Sequence, residues 1–301
     1  MVSMLNPVYQ EFVNDVDQVS TAMQNAQLEV SSGLQMRNVS DMPDQVSELL
    51  QARANLSSSQ QISTNLVNVT SEVNAGEQAV SSAVTLFDQV QTIAAEGATG
   101  TQTASSRAAL AQNLQSILQQ MVGLANTSID GRYIFSGDSD QTQPYTYDAS
   151  QPDPVSSYNG SASTRVVQGA DGTTFPVALT AQQIFDSSDP TTNVFSSINA
   201  LITSLNNNDQ AGIQTEQNGL STVASYLNQQ LAFYGTTQDT LQSATTFAQN
   251  QQTQLQTQIS NLQDANETSA IMQMTQDETQ EQAALSSEAE MPRQTLFSFL
   301  G

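Results

Sequence analysis

The chain has 301 residues, 29 of them acidic against six arginines and no lysine, and its formal net charge of −23 repels phosphate backbones and anionic lipid. With no Cys and no His, it can build no disulfide framework, no Ser-His triad and no thiolate or imidazole metal site. Ser, Thr, Asn and Gln supply 131 residues and only 38% of the chain is hydrophobic. A large globular core is therefore excluded, and the apolar residues must gather into narrow helical stripes if the chain is to fold.

The first stripe runs Leu5, Val8, Phe12, Val16, Val19, Met23, Ala26 and Val30, in steps of three or four, and predicts an amphipathic helix. Gly33 reads as its C-cap, with Ser40 or Asp41 as the N-cap of the next helix. Eight stripe side chains are too few to order such a helix alone, so this end and the other end of the chain are expected to be frayed in the isolated monomer. They should fold against each other and against neighbouring subunits. A second stripe, Ile62, Leu66, Val69, Val73, Gly76, Val80, Ala83, Phe87, Val90 and Ala94, predicts a helix about 50 Å long, with Gly76 as its weak point. After the Gly97–Gly100 break, Leu110, Leu114, Ile117, Met121 and Leu124 predict an antiparallel neighbour, making the first half a helical hairpin.

Five of the eight prolines fall between Pro144 and Pro190, and four of the seven tyrosines between Tyr133 and Tyr158. Short β-type runs at Tyr133–Phe135 and Arg165–Val167, with Asn159-Gly160 and Asp171-Gly172 as hairpin signals, predict a small β-rich insert that leans on the helices. Beyond it no proline occurs until Pro292. Val194, Ile198, Leu201 and Leu205 give a short stripe; Leu220, Val223, Leu227, Leu231 and Tyr234 begin a longer one, prolonged with more Gln through Leu241 to Leu262. Leu296, Phe297, Phe299 and Leu300 form a terminal apolar cluster expected to dock on a partner.

The predicted fold is mainly α, a long antiparallel, coiled-coil-like helical rod with a small inserted β-rich domain. The expected divisions are a terminal assembly helix at 1–43, rod helices at 44–135, the β-rich outer domain at 136–190, returning rod helices at 191–260 and a second assembly helix at 261–301. No 18-residue apolar run is present, so no membrane insertion is expected, and no cleaved signal peptide is expected at the N-terminus. The acidic residues read as a solvated surface, and the central tyrosines as the core of the insert in preference to a sugar-binding platform. No catalytic, cofactor-binding or metal-ligating residue is assigned.

Two tracts carry a resemblance. Ser31, Ser32 and Gly33, followed by Ser40, Asp41 and Pro43, resemble the N-terminal signature of bacterial flagellins and flagellar hook-associated proteins, with Leu34-Gln35 and Met42 departing from the usual residues. Gly131-Arg132-Tyr133-Ile134-Phe135-Ser136-Gly137 resembles the step from rod to outer domain in the hook–filament junction members of that superfamily, and the stretch from Ser260 to Leu300 is similar to their final helix. The resemblance implies a structural protein of the bacterial flagellum, a junction adaptor that catalyses no reaction and needs no cofactor. Implied partners are further copies of itself in a ring, a neighbouring hook-associated protein, flagellin and an export chaperone, with no nucleic acid. The implied location is extracellular, reached through the flagellar type III apparatus. Assembly would rest on Leu5, Val8, Phe12, Val16, Val19, Met23, Leu296, Phe297, Phe299 and Leu300. A filament-forming flagellin is the nearest alternative, and a surface adhesin or glycan-acting enzyme using the β-rich insert a more distant one.

Overall fold

The computed structural model describes residues 7–37 and 43–290. In chain order they form α1 (Pro7–Ser32), α2 (Pro43–Gly97), α3 (Ala104–Ala125), β1 (Ser128–Ile129), β2 (Arg132–Tyr133), β3 (Val166–Gln168), β4 (Thr174–Pro176), α4 (Ala181–Phe185), α5 (Val194–Asn206), α6 (Gln210–Gln263) and α7 (Glu267–Glu290). The fold is mainly α, as the stripes predict, and the chain divides into two compact units. The first comprises Met1–Ser57 and Gln252–Gly301, the second Ser58–Gln251; α2 and α6 contribute to both.

In the second unit the heptad stripes become a helical bundle. Leu66, Val73, Val80, Ala83, Phe87, Val90 and Ala94 of α2 are all sealed from solvent, together with Leu114, Leu118 and Met121 of α3, Ile198, Leu201 and Leu205 of α5, and Leu220, Val223, Leu227 and Leu241 of α6. α3 packs on α5. Hydrogen bonds from Ser59 to the Ala248 carbonyl, from Gln238 to Asn74 and from Gln91 to the Leu220 carbonyl set α2 antiparallel to α6, since one residue number rises as the other falls. Gly76, the expected weak point, is buried and directly faces the ring of Tyr234. Its missing side chain is what allows that ring in.

The helix ends follow ordinary capping chemistry. Thr103 accepts from the Ser106 amide at the start of α3, and Asn193 from the Ser196 amide at the start of α5. Asp209 accepts from the Gly212 amide at the start of α6, and Asn266 from the Ser269 amide at the start of α7. Arg107 of α3 is only 4% exposed, and its guanidinium donates to the carbonyls of Gly97 and Thr99 and to the Asn208 side-chain oxygen at 3.0, 3.1 and 2.6 Å. One buried cation thereby holds both the α2–α3 turn and the α5–α6 turn.

The insert carries less strand than its sequence runs suggest. β1 and β2 form one hairpin and β3 and β4 another, each pair antiparallel, and the remaining stretch is turns with a single bridge between Tyr147 and Val155. Prolines and Asp-x-Ser/Thr turns at Asp148, Asp171 and Asp189 divert the backbone from ladder pairing. Asp171-Gly172 does close the β3–β4 hairpin, with Gly172 at φ +83°. Asn159-Gly160 makes no hairpin: a side chain at Gly160 would strike the Tyr158 hydroxyl and the Ser136 carbonyl, so the glycine allows a close backbone approach instead.

In the first unit, α1 packs along α7. Ala26 of α1 and Ala270 of α7 are buried, while Val13, Leu28, Ile271, Met272 and Leu285 are exposed. Among the described residues, no helix is long and apolar enough to cross a membrane, and no cluster of acidic side chains could hold a metal ion.

Candidate assembly elements and the insert junction

The Gly131–Gly137 tract is the seam between bundle and insert. Asp130 (φ +51°) and Gly131 (φ +77°) are the two central residues of the β1–β2 turn, whose register pairs Ile129 with Arg132. This two-residue loop with both φ angles positive matches the natural strand twist. Arg132 then reaches α2, where its Nη2 lies 2.6 Å from Glu72 Oε1, and Arg165 also bonds the Glu72 carboxylate. One half-sequestered acid thus fastens to the helix both Arg132 of β2 and Arg165, which directly precedes β3.

Phe135 is fully buried and sits edge-on to Phe185 and to Tyr234, at centroid distances of 6.3 and 6.4 Å. Phe185 stacks on Phe195, which meets Tyr145 edge-on at 5.2 Å. The aromatic cluster therefore joins the insert to α4, α5 and α6, and Tyr145 belongs to its core. Burial, followed by the Asp186 carboxylate that accepts from its hydroxyl, drives the Tyr145 phenol far above its ordinary range. Burial also pushes Tyr158 up to about 12. The Tyr158 hydroxyl donates at this seam, lying 3.0 Å from the Phe135 carbonyl and 3.1 Å from that of Ser161. Ser136 is sealed in, with its hydroxyl 2.8 and 2.7 Å from the carbonyls of Ser139 and Thr142. Gly137 (φ +62°) lies so close to the Ser161 and Ser163 carbonyls that a β-carbon would stand 2.3 and 2.6 Å from them. Tyr133 and Ile134 are half-buried beside them.

The Ser31-Ser32-Gly33 tract is pinned to the α6–α7 joint. Gly33 (φ +70°) closes α1, its amide donating to the Glu29 carbonyl, and the Ser32 hydroxyl donates to the Leu28 carbonyl. The Ala265 amide donates to the Gly33 carbonyl at 2.9 Å, while the amides of Gln35 and Met36 both donate to the Gln263 carbonyl. Arg53 adds a 2.6 Å bond to the Gln263 side chain. Ser31 is exposed, and Pro43 opens α2.

Of the residues expected to carry assembly, Phe12, Val16, Val19 and Met23 lie on α1 and are half-buried. Val8 also belongs to α1. Leu5, Ser40, Asp41, Leu296, Phe297, Phe299 and Leu300 lie outside the described residues. Two features of this unit escape a reading of heptads. The helix break at Asp264–Asn266 is announced only by the capping pair Asn266 and Ser269. Asp277 is only 3% exposed on α7; its Oδ1 accepts from Gln273, and its Oδ2 has no hydrogen-bond partner among the described residues.

The described residues thus combine long polar-seamed helices, two joints bonded to each other and a small insert. Residues 5–140 match the bacterial flagellin N-terminal helical region. Over 160 residues, 53% of its length, the chain is 27% identical to flagellar hook-associated protein 3 of Escherichia coli, and 28% identical to that of Salmonella typhimurium. The chain spans about half the length of these curated relatives, 49% in each case. Its fold is that of solved flagellar hook-associated proteins. The one from Vibrio parahaemolyticus matches with a TM-score of 0.65 at 21% identity, over 74% of this chain and all of the other. Hook-associated protein 3 of Legionella pneumophila matches with a TM-score of 0.61 at 15% identity, over 72% of this chain and 99% of the other.

Proposed function

We propose that this chain is a structural component of the bacterial flagellum, the adaptor at the junction of hook and filament. The observation that carries the reading is the coincidence in one chain of a flagellin-type N-terminal region over residues 5–140 with a hook-associated fold that covers the whole of a solved example. The Gly131–Gly137 seam and the small insert favour this reading over a filament-forming flagellin, and the burial of the aromatic cluster favours it over a glycan-binding surface. In this reading the chain works mechanically and catalyses no reaction. It leaves the cell through the flagellar export apparatus with a dedicated chaperone, forms a ring with copies of itself, and contacts a hook-associated protein on one side and flagellin on the other. Terminal helices with half-buried apolar stripes supply the axial contacts, because α1 and α7 leave Ile271, Met272 and Leu285 exposed when paired only with each other.

A strain lacking the chain should show bare hooks by electron microscopy and abundant unpolymerised flagellin in the medium. Bare hooks without released flagellin would point to the filament subunit instead, and intact filaments would sink both readings. Phe12→Asp should block incorporation at the junction while the 58–251 unit keeps its helical circular dichroism. Wild-type incorporation of that variant would remove α1 from the assembly surface.

A further inference from the structure

We propose that the groove between α2 and the β3–β4 hairpin receives the acidic 148–153 tip of a second copy of this chain, joining neighbouring subunits head to tail. The inference rests on the self-assembling role given above and deepens it by naming the surfaces that meet.

The 58–251 unit carries fifteen acidic residues against three arginines, so two copies brought side by side repel one another over most of their surface. Arg107 cannot relieve this, because it is buried on backbone carbonyls. The other two, Arg132 and Arg165, are half-exposed, with side chains 41% and 37% accessible, and both lie at one place beside Glu72. Asp140 stands 3.8 Å from Arg132, which leaves this spot balanced in charge on an otherwise acidic surface. Each guanidinium carries five N–H donors in a planar fork, more than Glu72 and Asp140 take up, on a side chain that is part-exposed. This is where an approaching carboxylate meets least repulsion and most donors.

Shape agrees. The groove measures about 450 Å³, and its lining includes Ile62 and Val69 of α2, Val166 and Val177 of the hairpin segment and both arginines. Val166 is 64% exposed on a strand, an apolar contact left without a partner.

The tip has the complementary character. The Tyr147–Val155 bridge closes it, the Asp148 amide bonds the Pro154 carbonyl, and Asp148 and Asp153 present two exposed carboxylates on a loop stiffened by Pro152 and Pro154. Its supports are α3 and α5, through Tyr147 on the Gln115 carbonyl and Asn199 on the Pro152 carbonyl. Acidic tip and arginine groove therefore stand on different helices of one unit. Two unlike patches make a heterologous contact, the kind that propagates around a ring.

Because the chain has no cysteine, introduced thiols are unique. Full-length chains carrying Val166→Cys, Ala149→Cys or both are expressed in a deletion strain, and assembled hook–filament preparations are treated with a short bis-maleimide. The double variant should give a ladder of covalent multimers. Adding Asp148→Asn and Asp153→Asn should cut that ladder about fivefold or more, the scale of a lost charge-assisted contact. A double variant that incorporates normally and is alkylated at both thiols, yet gives no ladder, overturns the inference. Dimers from Val166→Cys alone would indicate groove meeting groove and overturn it too. The level of wild-type incorporation is read separately, and its absence would overturn the functional reading itself.

Discussion

The ring of Tyr234 fills the space that a side chain on Gly76 would need. A β-carbon at Gly76 would stand 2.6 Å from Tyr234 Cε1. At this contact α6 runs close to α2, and the same tyrosine accepts from the Leu179 amide and meets Phe135 edge-on, tying the insert to both helices. Gly76→Ala gains about 1 kcal/mol of helix propensity but forces the ring to move, at a cost of about 1–3 kcal/mol. The net expectation is destabilisation in urea titrations followed by circular dichroism. In a Tyr234→Leu background, the alanine should become neutral or stabilising. Equal effects in both backgrounds would show that the ring does not decide the matter.

Two of the motif glycines have positive φ for different reasons, and substitution separates them. Gly33→Ala meets nothing within 4 Å and carries only the left-handed strain, about 1 kcal/mol. Gly137→Ala adds contact with two backbone carbonyl oxygens at 2.3 and 2.6 Å, which no rotamer change can relieve. It should cost about 3 kcal/mol or more. Hydrogen exchange should show fast amides throughout 136–163 in Gly137→Ala, and only a local change at 33–36 in Gly33→Ala. Similar exchange profiles for the two variants would contradict this account.

The helices were legible because the stripes repeat strictly: Leu66, Val73, Val80, Phe87 and Val90 are buried as their spacing demands. What the spacing could not show was the use of exceptions to it. Gly76 breaks the stripe on paper and completes it in space, because the facing residue is a tyrosine more than 150 positions away in sequence. The β1–β2 turn was legible in principle, since Asp130-Gly131 is a two-residue hairpin signal, yet it follows so closely on the α3 stripe that the helical periodicity masks it. The Glu72–Arg132–Arg165 node and the role of Arg107 depend on long-range approach, to which local periodicity is blind.

Raised phenol pKa values predict alkaline lability. In the folded chain Tyr158 titrates near 12, and Tyr145 and Tyr234 are pushed up further by burial, whereas an unfolded tyrosine titrates near 10. Between those values the unfolded chain has released protons that the folded chain still holds, so stability falls as pH rises. Stability should be unaffected by these groups below about pH 10 and decline progressively above it. Urea midpoints from pH 8 to 11.5, with phenolate absorbance followed alongside, check this. A midpoint that holds constant through pH 11.5 would show that these phenols reach solvent in the folded state.

Asp277 poses the opposite question, a polar group buried on a helix that packs along α1. It is 3% exposed, and its Oδ2 lacks a partner among the described residues, a defect that costs about 1–3 kcal/mol. Under the assembly role proposed above, a terminal helix pair that opens to take up a neighbour gains from being weakly held, and a buried carboxylate is one way to weaken it. Asp277→Leu should therefore raise the hydrogen-exchange protection of residues 10–30 and 267–287 by about tenfold or more, with the 58–251 unit unchanged. Asp277→Asn should fall between, because it removes the charge but keeps a polar group to satisfy. If the tighter pair also incorporates more slowly into flagella, the carboxylate is retained to keep the pair openable. A Leu variant with lower protection would instead mean that Asp277 stabilises the pair.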